Sequence, residues 1–271
     1  MMGIEGGHSI ENSLALLRIY FQLGVRYMTL TWANSNDWAD SSGDLQDPHV
    51  PHHNGLTAFG KDVVREMNRL GMMVDVSHIS DRTLADVLET SRAPVLATHS
   101  GARALTAAPR NLSDDQLRAI AGRGGAVMVN FYPAFIDESW RSAWNALTPA
   151  RRAAQSELEA AYAATSQPVP FKVSNKIDRE FAARLPRPPL RLLIDHIDHV
   201  AQVAGVDHVG LGTDFDGISA LPEEIDSAAD LFKIADALSA RGYSPDRIGK
   251  IFGGNLLRVF REVEAAAGLE P

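Results

Sequence analysis

Four residues able to do chemistry fall at the ends of short apolar runs. Glu5 follows "MMGI", His78 closes "MMVDVSH", His99 closes "APVLATH", and Asp214 lies in "HVGLGTDF". The chain has no cysteine, so a metal would have to be held by imidazole nitrogen and carboxylate oxygen. Zinc accepts that set, and its catalytic sites keep one position open for water. A single histidine at a strand end reads as a hydrogen-bonded core residue. Two on successive strands, with a carboxylate on a third, read as a metal site. Trp32 and Tyr132 end two further runs. Arg110, eleven residues after His99, sits in a loop before a helix, where its guanidinium fork suits a substrate carboxylate; taken alone it reads as a surface charge. In "LGTDFDG" Asp214 is expected to face the site and Asp216 to serve the turn. That spacing does not follow the EF-hand pattern. His8, His49, His52, His53, His196, His199 and His208 read as structural.

Elements that could bring such ends together are visible in the pattern. Strands are expected at 25–32, 72–78, 93–99, 125–132 and 208–215, with "GIE" as a sixth, and amphipathic helices lie between them. Ser9, Ser80 and Ser113 read as helix caps. Alternating strands and helices indicate a parallel sheet, and in a parallel α/β barrel all carboxyl ends meet on one face. Residues 33–56, polar and rich in turn formers, read as a long loop above that face. Residues 136–190, with the Pro-punctuated "SQPVPFKV" and "RLPRPPL", read as a helical excursion covering the same end. The whole of 1–271 reads as one domain.

Composition narrows the partners. The chain has 271 residues, 45% of them apolar, and a formal charge of −8 with its basic residues scattered, which argues against nucleic acid. No apolar run approaches a membrane span. The first residues lack a signal-peptide pattern, so the chain as it stands reads as cytoplasmic, or as exported if an upstream signal belongs to it.

Four longer stretches, "EGGHSIENSLALLRIYFQLGVRYMTLTWANSNDWAD", "GLTAFGKDVVREMNRLGMMVDVSHIS", "APVLATHSGARALTAAPRNLSDDQL" and "VGLGTDFDGI" with "GGNLLRVFREVE", together resemble the membrane (renal) dipeptidase family of zinc peptidases. The resemblance implies a TIM-type (β/α)8 barrel, here incomplete with the first one or two strands missing. It implies two zinc ions bridged by Glu5, with His78 and His99 on one of them, Asp214 as catalytic carboxylate, and Arg110 on the substrate's terminal carboxylate. Trp32 stands where the family carries a histidine that stabilises the tetrahedral intermediate, and Tyr132 is expected to line the substrate site. The family places the second zinc's His-x-Asp ligands upstream of the Glu, and no such pair precedes Glu5 in this sequence. The activity implied is hydrolysis of dipeptides by a metal-bound hydroxide, in a protein that forms a homodimer. The alternative is an impaired or inactive truncated relative that binds metal or peptide only.

Overall fold

A computed structural model describes residues 1–163 and 169–268. Part of the Pro-punctuated "SQPVPFKV" lies outside the described residues. The elements run β1 (Met2–Glu5), α1 (Leu14–Gln22), β2 (Val25–Thr29), α2 (Ala58–Leu70), β3 (Met73–Asp75), α3 (Asp81–Thr90), β4 (Leu96–Ser100), α4 (Asp114–Gly122) and β5 (Ala126–Asn130). Then come α5 (Pro133–Ile136), α6 (Glu138–Ala146), α7 (Thr148–Ala163), α8 (Phe171–Ala182), α9 (Leu190–Ala204), β6 (Val209–Gly212), α10 (Phe232–Ala240), α11 (Pro245–Gly249) and α12 (Asn255–Ala266). Each strand pairs in parallel with the next, giving the spatial order β1-β2-β3-β4-β5-β6. Among the described residues no ladder joins β6 back to β1, so the curved sheet is not closed by hydrogen bonds. No helix among them is long and apolar enough to cross a membrane.

Period-two alternation sorts the strand residues between two faces. Met28, Val74, Ala97, Val127 and Val129 belong to the main core, with helix residues such as Leu17, Val63, Met67, Leu117, Ile194 and Ile197. Met73, Leu96, Ala126 and Met128 belong to a second cluster with Val259 and Val263 of α12. Further along those strands the inner positions turn polar, at Thr29, Asp75, Thr98 and Asn130. The inner face is therefore apolar at the strand starts, where α12 packs, and polar at the carboxyl ends.

Local signals account for most helix starts. Ser80 accepts from Thr83 N, and Ser113 forms a full capping box with Gln116. Ser9 does not cap α1. Glu11 and Asn12 are left-handed, with φ of 48° and 57°, which interrupts the helix; the helix starts at Leu14 with Ser13 as its cap. The amphipathic stretch from Ser244 onward is likewise broken, at Gly253 with φ of 150°, between α11 and α12. Residues 33–56 form no regular element, yet they are anchored. Trp38 is buried in the core, and the buried Asp40 carboxylate accepts from the backbone N–H groups of His53 and Gly55.

On α2, Glu66 is nearly buried and accepts from Arg69 and Arg18. Those bonds, Arg69's first, hold its carboxyl down at about 2. A depressed folded-state pKa stabilises the fold above the unfolded value near 4.5, and the contribution is lost as pH falls towards 2. Because both arginines are half exposed, Glu66→Gln is expected to cost only about 1 to 2 kcal/mol at pH 7. Urea unfolding at pH 7 and pH 3 checks this, the difference from wild type shrinking at the lower pH.

Candidate metal centre

β1 ends at Glu5, while His78 lies three residues past the end of β3 and His99 sits within β4. His78 Nε2 is 3.0 Å from Glu5 Oε1, His99 Nε2 is 3.2 Å from the same oxygen, and the two nitrogens are 2.8 Å apart. One ligand atom from each residue thus falls within 4.8 Å of the other two. The imidazoles are largely buried while the Glu5 side chain is 45% exposed, so the cluster opens to solvent on one side.

Its electrostatics favour a cation. Close contact with the His78 imidazole, then with that of His99, holds the Glu5 carboxyl well below the usual carboxylate range. Burial, then the positive charge of Arg110, lowers His78 to about 4 despite its contact with Glu5. His78 is therefore neutral at pH 7 and has a lone pair to offer. Two imidazole nitrogens and a carboxylate oxygen this close form a donor set that fits zinc.

Asp214 lies across a cavity of about 260 Å³ lined also by Glu5, Tyr27, Thr29, Thr98 and His99. Asn130 Nδ2 donates to its Oδ2 at 3.0 Å, and burial raises its pKa. The glycine of "TDFDG" has a steric reason: a Cβ on Gly217 would come within 2.2 Å of Asp214 Oδ1. Asp216 points into solvent and belongs to the turn. A larger cleft of about 930 Å³ opens beside Phe215 and Asp216, against Arg179 and Leu185.

Arg110 donates through Nη2 to the His99 carbonyl at 3.1 Å, and its buried Nε has no partner among the described residues. Burial brings its pKa down to about 10, which leaves it a cation at pH 7. Trp32 lies three residues past β2, its side chain half exposed and its Cβ close to Gly6 beside Glu5. Tyr132, also expected at the site, packs into a separate aromatic cluster. Its ring packs edge-on against Phe135, Trp140 and Trp144, and its hydroxyl accepts from Ser219 at 3.4 Å. The strands prove shorter than their apolar runs suggest, so Trp32, His78, Tyr132 and Asp214 stand in the segments that follow. His78 and Asp214 are left-handed there, with φ of 69° and 54°, a strained conformation typical of side chains aimed into sites.

The model of the membrane dipeptidase family, peptidase family M19, matches residues 1–270. The chain belongs to this family. Dipeptidase 3 of Rattus norvegicus is 34% identical over 264 residues, which are 97% of this chain and 45% of the rat protein. Dipeptidase tcpJ of Claviceps purpurea is 35% identical over 267 residues, 98% of this chain and 51% of the fungal protein. The chain thus spans about half the length of these curated relatives. Among solved structures, a Rhodobacter sphaeroides metallo peptidase liganded with a phosphinate mimic of the dipeptide L-Ala-D-Ala superposes with a TM-score of 0.74 at 27% identity, over 97% of this chain and 63% of that one. The probable dipeptidase PvdM of Pseudomonas aeruginosa gives 0.77 at 28%, over 98% and 69%.

Within this M19 chain, three contributors to the site were not singled out in the sequence: Asn130, Asp75 and Thr98. Asn130 and Asp75 are polar residues inside otherwise apolar strands, a pattern that marks a buried polar role. Five of the other histidines are held locally. His196 Nδ1 accepts from Ala102 N, His199 pairs with Asp114, His208 meets the Gly125 carbonyl, His53 meets the Asn36 carbonyl and His8 meets Asn34.

Proposed function

We propose that the chain is a zinc-dependent dipeptidase whose metal is held by Glu5, His78 and His99. The convergence of these three ligands at the mouth of a small cavity, opposite Asp214, carries the reading. A bound zinc supplies Lewis-acid polarisation of the scissile carbonyl and lowers the pKa of a bound water. The remaining roles belong to the chain. Asp214, kept protonatable by burial and oriented by Asn130, takes a proton from the attacking water and returns it to the leaving amine. Arg110, with its unpaired Nε, binds the substrate's free carboxylate, and the small cavity favours a short substrate. The dipeptide mimic bound by the Rhodobacter sphaeroides relative supports that substrate class.

Arg110→Lys retains charge but loses the fork. It is expected to lower kcat/KM about 10- to 100-fold, chiefly through KM. Steady-state kinetics on one good dipeptide decides this.

The reading as a whole is tested with a panel of L,L and L,D dipeptides. Hydrolysis that stops with chelator and returns with zinc supports it. No hydrolysis by zinc-loaded chain favours the second reading, a relative that binds metal or peptide without turnover. Trp32 is the observation behind that alternative, because an indole at this position, with its Cβ near Gly6, offers one N–H donor and cannot become a cation. Losing one oxyanion donor typically costs about 10²- to 10³-fold in turnover.

A further inference from the structure

The buried Asp75 carboxylate sits beneath the ligand cluster, fully shielded from solvent. Its Oδ1 accepts from the backbone N–H groups of Ser77 at 3.0 Å and Thr98 at 2.9 Å. Its Oδ2 accepts from the hydroxyls of Thr29 at 2.5 Å and Thr98 at 2.6 Å. Four donors on two oxygens tie β2, β3 and β4 together, Thr29 and Asp75 being register partners. The consequence lies one atom further on. A threonine hydroxyl has a single proton, and Thr98 gives its proton to Asp75. Towards His99 Nδ1, 2.8 Å away, the same oxygen can only accept. The hydrogen of neutral His99 is therefore placed on Nδ1, and the lone pair on Nε2, the atom that faces Glu5 and His78.

Adjacent strand residues normally point to opposite faces, so Thr98 and His99 should not meet. Here the β4–β5 register shifts between Ala97 and Ser100, and that irregularity brings hydroxyl and imidazole together. His78 offers the contrast. Its Nδ1 is buried with no partner among the described residues, so nothing equivalent fixes its ring.

We propose that Asp75 is a positioning residue that acts through the Thr98 hydroxyl to hold His99 in its Nδ1–H tautomer, presenting Nε2 to the metal. The inference rests on the reading of Glu5, His78 and His99 as a metal centre. It is tested so that the two can fail separately. Long-range ¹H–¹⁵N NMR of the histidine rings in the zinc-free protein reads the tautomer without metal or substrate. Zinc affinity is then measured by competition with a chromophoric chelator.

The wild type and Thr98→Ser are expected to show His99 protonated at Nδ1. Thr98→Val, which keeps the shape and loses the hydroxyl, is expected to show a mixed or Nε2–H tautomer and zinc affinity weaker by about 10- to 100-fold, the usual effect of removing a ligand's outer partner. Asp75→Asn should shift the tautomer the same way. If the loss of a four-donor acceptor keeps Asp75→Asn from folding, the Thr98 pair carries the test alone. An Nε2–H tautomer in the wild type overturns the proposal, as does Thr98→Val with unchanged tautomer and affinity. The expected tautomers in a wild type that binds no zinc leave the relay standing and overturn the metal-centre reading.

Discussion

Asp214→Asn is expected to lower kcat for dipeptide hydrolysis about 10²- to 10⁴-fold, the usual range for removing a general acid–base group. KM should stay within a few-fold and zinc content unchanged. The side chains have the same shape, so the cavity is preserved. What is lost is the ability to carry a proton. The wild-type carboxyl suits that task because burial raises its pKa, while Asn130 fixes one oxygen and Gly217 leaves room for the other. Single-turnover and steady-state rates, with zinc measured on the same samples, check the expectation. A kcat within about threefold of wild type would mean that another group moves the proton.

The second large effect is on metal binding. Glu5→Ala removes the carboxylate that both imidazoles contact, and zinc affinity should fall by at least about 100-fold, beyond the 10- to 100-fold that outer partners alone are worth. Linkage gives a readout that needs no substrate. Zinc at about a hundred times its dissociation constant should stabilise the wild type by about 2.7 kcal/mol and leave Glu5→Ala nearly unmoved. Thermal unfolding with and without zinc measures this. Equal zinc-induced shifts in the two proteins would place the metal elsewhere.

Much of this site could be read before any coordinates. Apolar runs ending in Glu5, His78, His99 and Asp214 mark strands whose carboxyl ends converge, because a parallel sheet with helical crossovers leaves no other arrangement. Six strands were legible for that reason, and Ser80 and Ser113 were legible as caps because each precedes an amphipathic run. Backbone detail was harder. A left-handed Glu11 or His78 has no strong sequence mark, unlike glycine, so the start of α1 and the early end of β3 were misplaced. The burial of Trp38 within a polar loop depends on contacts distant in sequence. The Asp75–Thr98–His99 chain depends on a register shift between β4 and β5, which the period-two pattern alone cannot express. Tyr132 ends an apolar run as the others do, yet it is drawn into the aromatic cluster of α6, because three aromatic neighbours offer it more buried contact.

The central claim is that Glu5, His78 and His99 hold the metal on which hydrolysis depends. It is tested most directly by zinc analysis of the purified chain after equilibrium dialysis, beside His99→Ala. At least one zinc per wild-type chain, with little or none in His99→Ala, is the predicted result. A wild type without zinc, or a His99→Ala chain that retains as much as the wild type, would contradict it.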